Sequence, residues 1–211
     1  DVSPRDAFDL LGESNGSLVD LDYETSGLFK GDGGRVRAVG FSTGKNTFVV
    51  NAEAHQDLPK LMKWFLKSKI PKTAYNSAFE IRWSLEEFGV APNNLVHDPM
   101  LLHYLLDENT SRDLESVASQ YLKADRWGIE GLMLEKGWDY ATIPYESLVH
   151  YCGMDASWTW RLAKYFDRLP EMGGVEYPRA LYRELLELAR LCAELEITGI
   201  KLDKKWAKRI D

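Results

Sequence analysis

Apolar residues along this chain recur with two different periods, and the changes between them mark its elements. Over Leu18-Val19-Asp20-Leu21-Asp22-Tyr23-Glu24, apolar and acidic positions alternate, the two-residue repeat of a strand that buries one face. The run then breaks into a turn at Ser26-Gly27, and Gly31-Asp32-Gly33-Gly34 reads as a flexible loop. Residues 35–42 and 47–51 read as two further strands around Gly44-Lys45-Asn46, a hairpin signal that makes part of the sheet antiparallel. The period then lengthens: Leu58, Leu61, Met62, Phe65 and Leu66 recur at helical spacing. Residues 72–75 form a short predicted strand leading into Asn76, followed by a helix over 79–88. Leu95-Val96-His97 is another short strand, before a helix carrying Met100, Leu101, Tyr104 and Leu105. Leu114, Val117, Ala118, Tyr121 and Leu122 form a further stripe, with Ser111 as its predicted N-cap. A loop-rich stretch with Gly128, Gly131 and Gly137 leads to Pro144, a first-turn residue for a helix over 145–169 that stops at Pro170 and Gly173-Gly174. A last helix is predicted over 175–198. Strands come first and helices dominate later, which predicts an α/β fold with a mixed sheet flanked by helices.

The first strand also carries the first chemistry. Asp20, Asp22 and Glu24 project from one face, and carboxylates that close repel one another unless a positive charge sits between them. A hard, oxygen-preferring divalent cation resolves the repulsion; the competing reading is a solvated edge strand. Composition narrows the setting. The chain has 211 residues, 45% hydrophobic, with 7 Trp and 10 Tyr, enough for one sizeable core. No apolar run approaches the roughly 18 residues a bilayer span needs, so no membrane association is expected. The first six residues lack the basic and apolar regions of a signal peptide, which predicts a cytoplasmic setting. The chain begins with Asp1 and not Met, as a piece of a longer protein would. Cys152 and Cys192 lie far apart, suggest neither disulfide nor zinc cluster, and are predicted to be buried free thiols. The net charge of −7 argues against a protein that coats duplex nucleic acid. It leaves room for a nuclease that grips a few terminal nucleotides through metal ions.

Three separated segments each supply an acid beside a structural break: Asp22-x-Glu24-Thr25, Asn76-Ser77-Ala78-Phe79-Glu80, and Tyr151-x-x-x-Asp155. Tyr151 and Asp155 are four apart and share a helix face. Together these segments resemble the three motifs of the DEDD 3′–5′ exonucleases, in the subgroup that uses Tyr. More narrowly, the chain resembles the proofreading exonuclease domain of A-family DNA polymerases, the DNA polymerase I type. Asp98-Pro99-Met100-Leu101-Leu102, Asp113-Leu114-Glu115 and the segment from Leu195 to Asp203 extend the resemblance.

The resemblance implies a ribonuclease H-like mixed sheet of five to six strands with an antiparallel meander, flanked by helices. It implies an exonuclease domain over residues 1–170 and, over 171–211, a helical extension like the start of a polymerase domain. It further implies two divalent cations, Mg²⁺ or Mn²⁺, held by Asp22, Glu24, Glu80 and Asp155. Asp22 would bridge both ions, Glu24 and Asp155 would complete the first, and Glu80 would hold the second through water. Tyr151 would orient the attacking water with help from Glu24, while Thr25, Leu28 and Asn76 would contact the terminal nucleotides. The expected substrate is the 3′ end of single-stranded or frayed DNA. The expected partner is a polymerase domain C-terminal in the same polypeptide, in a nucleoid or phage replication complex.

Two departures from the family pattern stand out. The family places Asp where this chain has Glu80, and one more methylene moves the carboxylate by roughly 1 Å or more, which predicts weaker binding of the second ion. His150 lies five residues before Asp155, the spacing of the general base in the sister subgroup, whereas Tyr151 at four faces Asp155 better. Asp20, about 6.8 Å along the strand from Asp22, is expected near the site but not among the direct ligands. Asp98 is read as a structural anchor, and His55, His97 and His103 as surface or packing residues. The alternatives are a stand-alone exonuclease of the RNase D type acting on RNA, or a degenerate domain that positions DNA without cutting it.

Overall fold

The computed structural model describes residues 1–170, 177–203, 206 and 209. Its centre is one five-stranded sheet in the order β3-β2-β1-β4-β5. β1 (Val19–Thr25), β2 (Val36–Ser42) and β3 (Thr47–Asn51) form the antiparallel meander; β4 (Lys72–Thr73) and β5 (Leu95–His97) run parallel beside β1. The α/β, ribonuclease H-like expectation holds, with five strands.

β1 is the hinge of the design because its two faces do different work. Val19, Leu21 and Tyr23 are buried with Phe41, Phe65 and Met62 in the core beneath α2 (Leu58–Lys67). That core also takes in α1 (Pro4–Gly12), a helix that has no counterpart among the elements predicted from the sequence. Ser3 accepts a hydrogen bond from the Asp6 N–H, Pro4 starts the first turn, and Ala7 and Leu11 go inside. The other face of β1 carries Asp20, Asp22 and Glu24 and is covered by the long α7 (Tyr145–Arg168).

The helices on that side follow from local signals, with corrections. α3 (Ser77–Trp83) starts two residues earlier than predicted and ends in a π-helical turn, Ser84–Phe88. α4 (Pro99–Leu106) is capped by Asp98, and α5 (Leu114–Leu122) by Asp113, not Ser111. The Asp113 carboxylate accepts from the Ser116 N–H at 2.9 Å, and the Ser111 hydroxyl donates to Asp113 instead of capping. The stretch expected to be loop contains α6 (Glu130–Lys136), closed by Gly137 at φ 67°. Pro144 is the N-cap of α7 and not in its first turn. α8 (Arg179–Thr198) lies across α3 and α4, with Tyr182 buried and Arg82 paired to Glu196 at 2.8 Å. Gly173, Gly174 and Val175, assigned to the break and the start of that helix, lie outside the described residues. Cys152 is buried as expected; Cys192 is exposed, because it falls on the outward side of α8. No helix is long and apolar enough to cross a membrane among the described residues.

Candidate active site

Three local devices bring the acids together. The first is a register shift between Glu24 and Thr25 on β1, which bends the strand where its acids end. The second is Gly40, the β2 partner of Asp22. A Cβ at Gly40 would stand 2.8 Å from Cys152 Sγ and 3.1 Å from the Cys152 carbonyl oxygen, so only glycine lets α7 lie this close. The third is Asp98, buried between two helix starts. Its carboxylate accepts from the N–H groups of Asn76 at 3.2 Å and Ser77 at 2.7 Å, and of Met100 at 3.0 Å. That fastens Asn76 in the left-handed region, φ 56°, and sets Glu80 one turn into α3.

The result is a cleft of about 460 Å³ whose wall includes Asp22, Glu24, Glu80, Tyr151 and Asp155. Thr25, Leu28 and Asn76 line the same cleft, so all eight residues singled out from the sequence meet there. Glu24 and Glu80 are buried, whereas Leu28 is 70% exposed at the mouth. His150 is exposed and lies outside the cleft lining, while its neighbour Tyr151 faces in. Asp98 is the anchor expected. His97 pairs with Asp167 at 2.8 Å, and His103 is buried against Tyr121 and Ser111, as packing residues should be.

Burial and mutual repulsion shape the electrostatics. Desolvation pushes the Asp22 carboxyl up to about 7, against a hydrogen bond from Cys152 that pulls it down. Glu24, Glu80 and Asp155 are each raised well above the usual carboxylate range, first by burial and then by Asp22. The Tyr151 phenol is raised by burial and by Asp155 and Glu24, so it is neutral and keeps its proton to donate. Asp22 Oδ2 and Glu80 Oε2 are buried without a partner. Asp20 is fully buried beneath the site and neither of its oxygens has a partner; its charged form is opposed by desolvation, Asp22 and Asp155.

Several residues of the site were not singled out from the sequence. Tyr75, Phe79, Leu114 and Tyr140 add an apolar and aromatic lining. Phe79 and Leu114 sit inside segments that did carry family-like patterns; Tyr140 sits in an irregular stretch with no periodic signal. Cys152 contacts Asp22, and its Sγ lies within 4.8 Å of carboxylate oxygens of Asp22 and Glu24. Trp127 donates its indole N–H to Asp155 at 2.5 Å.

The donor set suits a hard divalent cation. Carboxylate oxygens from Asp22 and Glu24 already stand close together, and the unpartnered oxygens of Asp22 and Glu80 lack the positive partner that buried carboxylates require. Burial and the surrounding acids push the Cys152 thiol up, so it stays protonated and acts as a donor to Asp22, not as a soft metal ligand.

A ribonuclease H-like sheet with acids from β1, α3 and α7 converging on one cleft places the protein in the class of DEDD nuclease folds. The sequence profile of the 3′–5′ exonuclease of A-type DNA polymerases matches residues 4–170. The chain belongs to that family. It is 29% identical over 139 residues to DNA polymerase I of Synechocystis sp., covering 63% of this chain and 13% of that polymerase. The chain therefore spans about an eighth of this curated relative's length. In structure it is similar to Pol1 from M. smegmatis in complex with DNA primer-template and dNTP, at TM-score 0.70 and 19% identity, covering 96% of this chain and 32% of that one. It is also similar to Brucella melitensis NrnC with bound Mg²⁺, at TM-score 0.66 and 20% identity, covering 87% of this chain and 86% of that one.

Proposed function

We propose that this domain removes nucleotides one at a time from the 3′ end of single-stranded or frayed DNA, as the proofreading part of a longer A-family polymerase. The observation that carries the reading is the convergence of Asp22, Glu24, Glu80, Asp155 and Tyr151 on one cleft. The four carboxylates would hold two divalent cations, Mg²⁺ or Mn²⁺, which when bound supply a hydroxide nucleophile and stabilise the leaving oxygen. Asp22 would serve both ions, Glu24 and Asp155 one, and Glu80 the other. Tyr151, whose neutral hydroxyl lies against Asp155 and near Glu24, would orient the attacking water. Thr25 donates to the Gly27 carbonyl at 2.8 Å, which fixes the turn that presents Leu28 as an apolar wedge at the mouth. Asn76 lines the same cleft, where its amide can hydrogen-bond the terminal nucleotide. Aromatic residues such as Tyr75 and Phe79 give bases a surface to stack on without reading their sequence. Exposed Leu188, Leu191 and Leu195 on the outer side of α8 support attachment to a further domain.

A second reading is a stand-alone exonuclease acting on RNA: the likeness to NrnC runs over most of both chains, and another structural neighbour is Escherichia coli RNase D, an exoribonuclease. The test uses 5′-labelled DNA and RNA oligonucleotides of one sequence with Mg²⁺, Mn²⁺ or a chelator. The proposal expects a metal-dependent 3′ ladder on DNA, lost in Asp22→Asn. Preference for RNA selects the second reading; no product with any metal leaves a DNA-positioning scaffold.

A further inference from the structure

Asp155 is the one acid of the cleft with a side-chain donor built from a distant loop. The indole of Trp127 reaches it at 2.5 Å from the irregular stretch between α5 and α6. That ring is held from two sides. Its backbone N–H donates to Glu115 Oε1 on α5 at 2.6 Å. Its face stacks on Trp158 of α7, with ring centroids 5.7 Å apart and planes 19° from parallel. The Arg161 guanidinium lies over Trp158, 4.6 Å from the ring centroid. Asp155, Trp158 and Arg161 are three residues apart on α7, so one face of the helix carries the carboxylate and the stack that orients its donor.

We propose that Trp127 is a positioning residue: it pins one oxygen of Asp155 and leaves the other aimed into the cleft to bind a divalent cation. The inference rests on the metal-dependent reading of the site. An indole N–H is a donor only, so it engages a carboxylate and never competes as a metal ligand. Without that bond, the Asp155 carboxylate, crowded by Asp22, is held by the Tyr151 hydroxyl alone and can turn from its neighbours. Partners that orient a metal ligand from outside are worth about ten- to a hundredfold in metal affinity or activity. Burial of the Trp127 ring excludes water that would otherwise compete for the same oxygen.

The decisive variant is Trp127→Phe, which keeps an aromatic ring against Trp158 while removing the N–H and part of the indole's volume. Mn²⁺ affinity, measured by calorimetry on the metal-free protein at a temperature where the variant is folded, should fall about tenfold, beyond any fall in metal-free Tm from the trimmed ring. Cleavage at low Mn²⁺ should fall by a similar factor and recover as Mn²⁺ is raised, a rescue that general loss of packing would not show. A second measurement needs no variant: in ¹H–¹⁵N spectra of the wild-type chain, the assigned Trp127 indole resonance should be shifted downfield and should move on Mg²⁺ titration. Unchanged Mn²⁺ affinity in Trp127→Phe, or an indole resonance indifferent to Mg²⁺ while the wild-type chain binds it, overturns the positioning role alone. Absence of any Mn²⁺ or Mg²⁺ binding by the wild-type chain overturns the reading of the site together with it.

Discussion

Asp20 lies one strand repeat below Asp22, fully buried, with both oxygens unpartnered and carboxylates on either side. Desolvation, Asp22 and Asp155 outweigh the one stabilising contribution to its charge, from the Leu21 backbone, so it opposes folding wherever the metal-free protein is forced to ionise it. Asp20→Asn should therefore raise metal-free Tm at pH 8, by about 1–2 kcal/mol of stability or roughly 2–8 °C at this size. A melt in chelator that shows no gain would mean Asp20 has a partner there after all. Glu80 presents the complementary case. It is inside the cleft with one orphan oxygen, but its longer side chain sets that oxygen differently from the aspartate of the family pattern. Glu80→Asp should tighten Mn²⁺ binding and speed cleavage of single strands about tenfold or more, given what roughly 1 Å of placement is worth. Rates and affinities no better than the parent chain would show that Glu80 is not limiting. For the water-orienting role, Tyr151→Phe should slow hydrolysis about a hundredfold, the scale of a lost proton-handling group, and His150→Gln should change it little. The reverse pattern in single-turnover rates would move that role to the exposed histidine. In the sequence, Asp20, Asp22 and Glu24 share a face by two-residue spacing, and Tyr151 and Asp155 by four-residue spacing. Glu80, His150 and the roles of the set were legible only through the resemblance to the exonuclease family. Trp127 and Cys152 were legible in neither way. Trp127 reaches Asp155 from an aperiodic loop, and Cys152 looks like any small buried residue until Gly40 brings it against Asp22.

At the scale of elements, the close approach of α7 to β1 and β2 does the most for the site, and it depends on Gly40. An added methyl there meets Cys152 Sγ at 2.8 Å, Cys152 O at 3.1 Å and Ala156 Cβ at 3.3 Å, and the backbone oxygen cannot move without the helix. Gly40→Ala should lift α7 from the sheet and separate Tyr151 and Asp155 from Asp22 and Glu24. Overpacking of this kind costs about 1–3 kcal/mol, while the displaced carboxylate should lower the cleavage rate about a hundredfold. Chemical denaturation and single-turnover kinetics on the same sample separate the two; a destabilised protein with parental kinetics would show that α7 is not the positioning element. The strands of the meander, α2, α5 and α7 were readable because their apolar periods are strong. α6 hid behind Gly128, Gly131 and Gly137, yet two of these lie outside it: Gly128 precedes it, and Gly137 is its left-handed stop. Ser111 looked like a cap by type, but Asp113 is three residues before the Ser116 N–H and is the one that reaches it. The π-helical turn after Trp83 has no signature in periodicity, since it follows from how Ser84–Phe88 ends over the core.

Over the whole molecule, a net charge of −7 gathers part of its excess in one buried place, and this makes stability depend on pH in a definite direction. Asp22 titrates at about 7 when folded, and Asp20, Glu24, Glu80 and Asp155 are raised as well, against about 4 for unfolded carboxylates. A raised carboxyl binds its proton more tightly in the folded chain, so its contribution is complete below about pH 4 and is lost as pH rises through about 7. Asp113, Asp139 and Asp167 are shifted the other way by their hydrogen bonds, and their effect falls in acid below the usual carboxylate range. Buried Lys72, lowered to about 8 by desolvation, acts only above that pH. Burial lowers the His103 imidazole, which adds a single opposing rise in stability up to about pH 6.5, so across pH 5 to 8 the five raised carboxyls outweigh it. In chelator, Tm should fall across that interval. With saturating Mg²⁺ the fall should shrink, because the ions need the deprotonated carboxylates, and the Tm gain on adding Mg²⁺ should grow from pH 5 to pH 8. Paired melts with and without metal at four pH values give that slope directly. A Mg²⁺ gain that is flat or shrinks with rising pH would mean that the cluster is satisfied without an ion, and that the cleft does not bind metal through its acids.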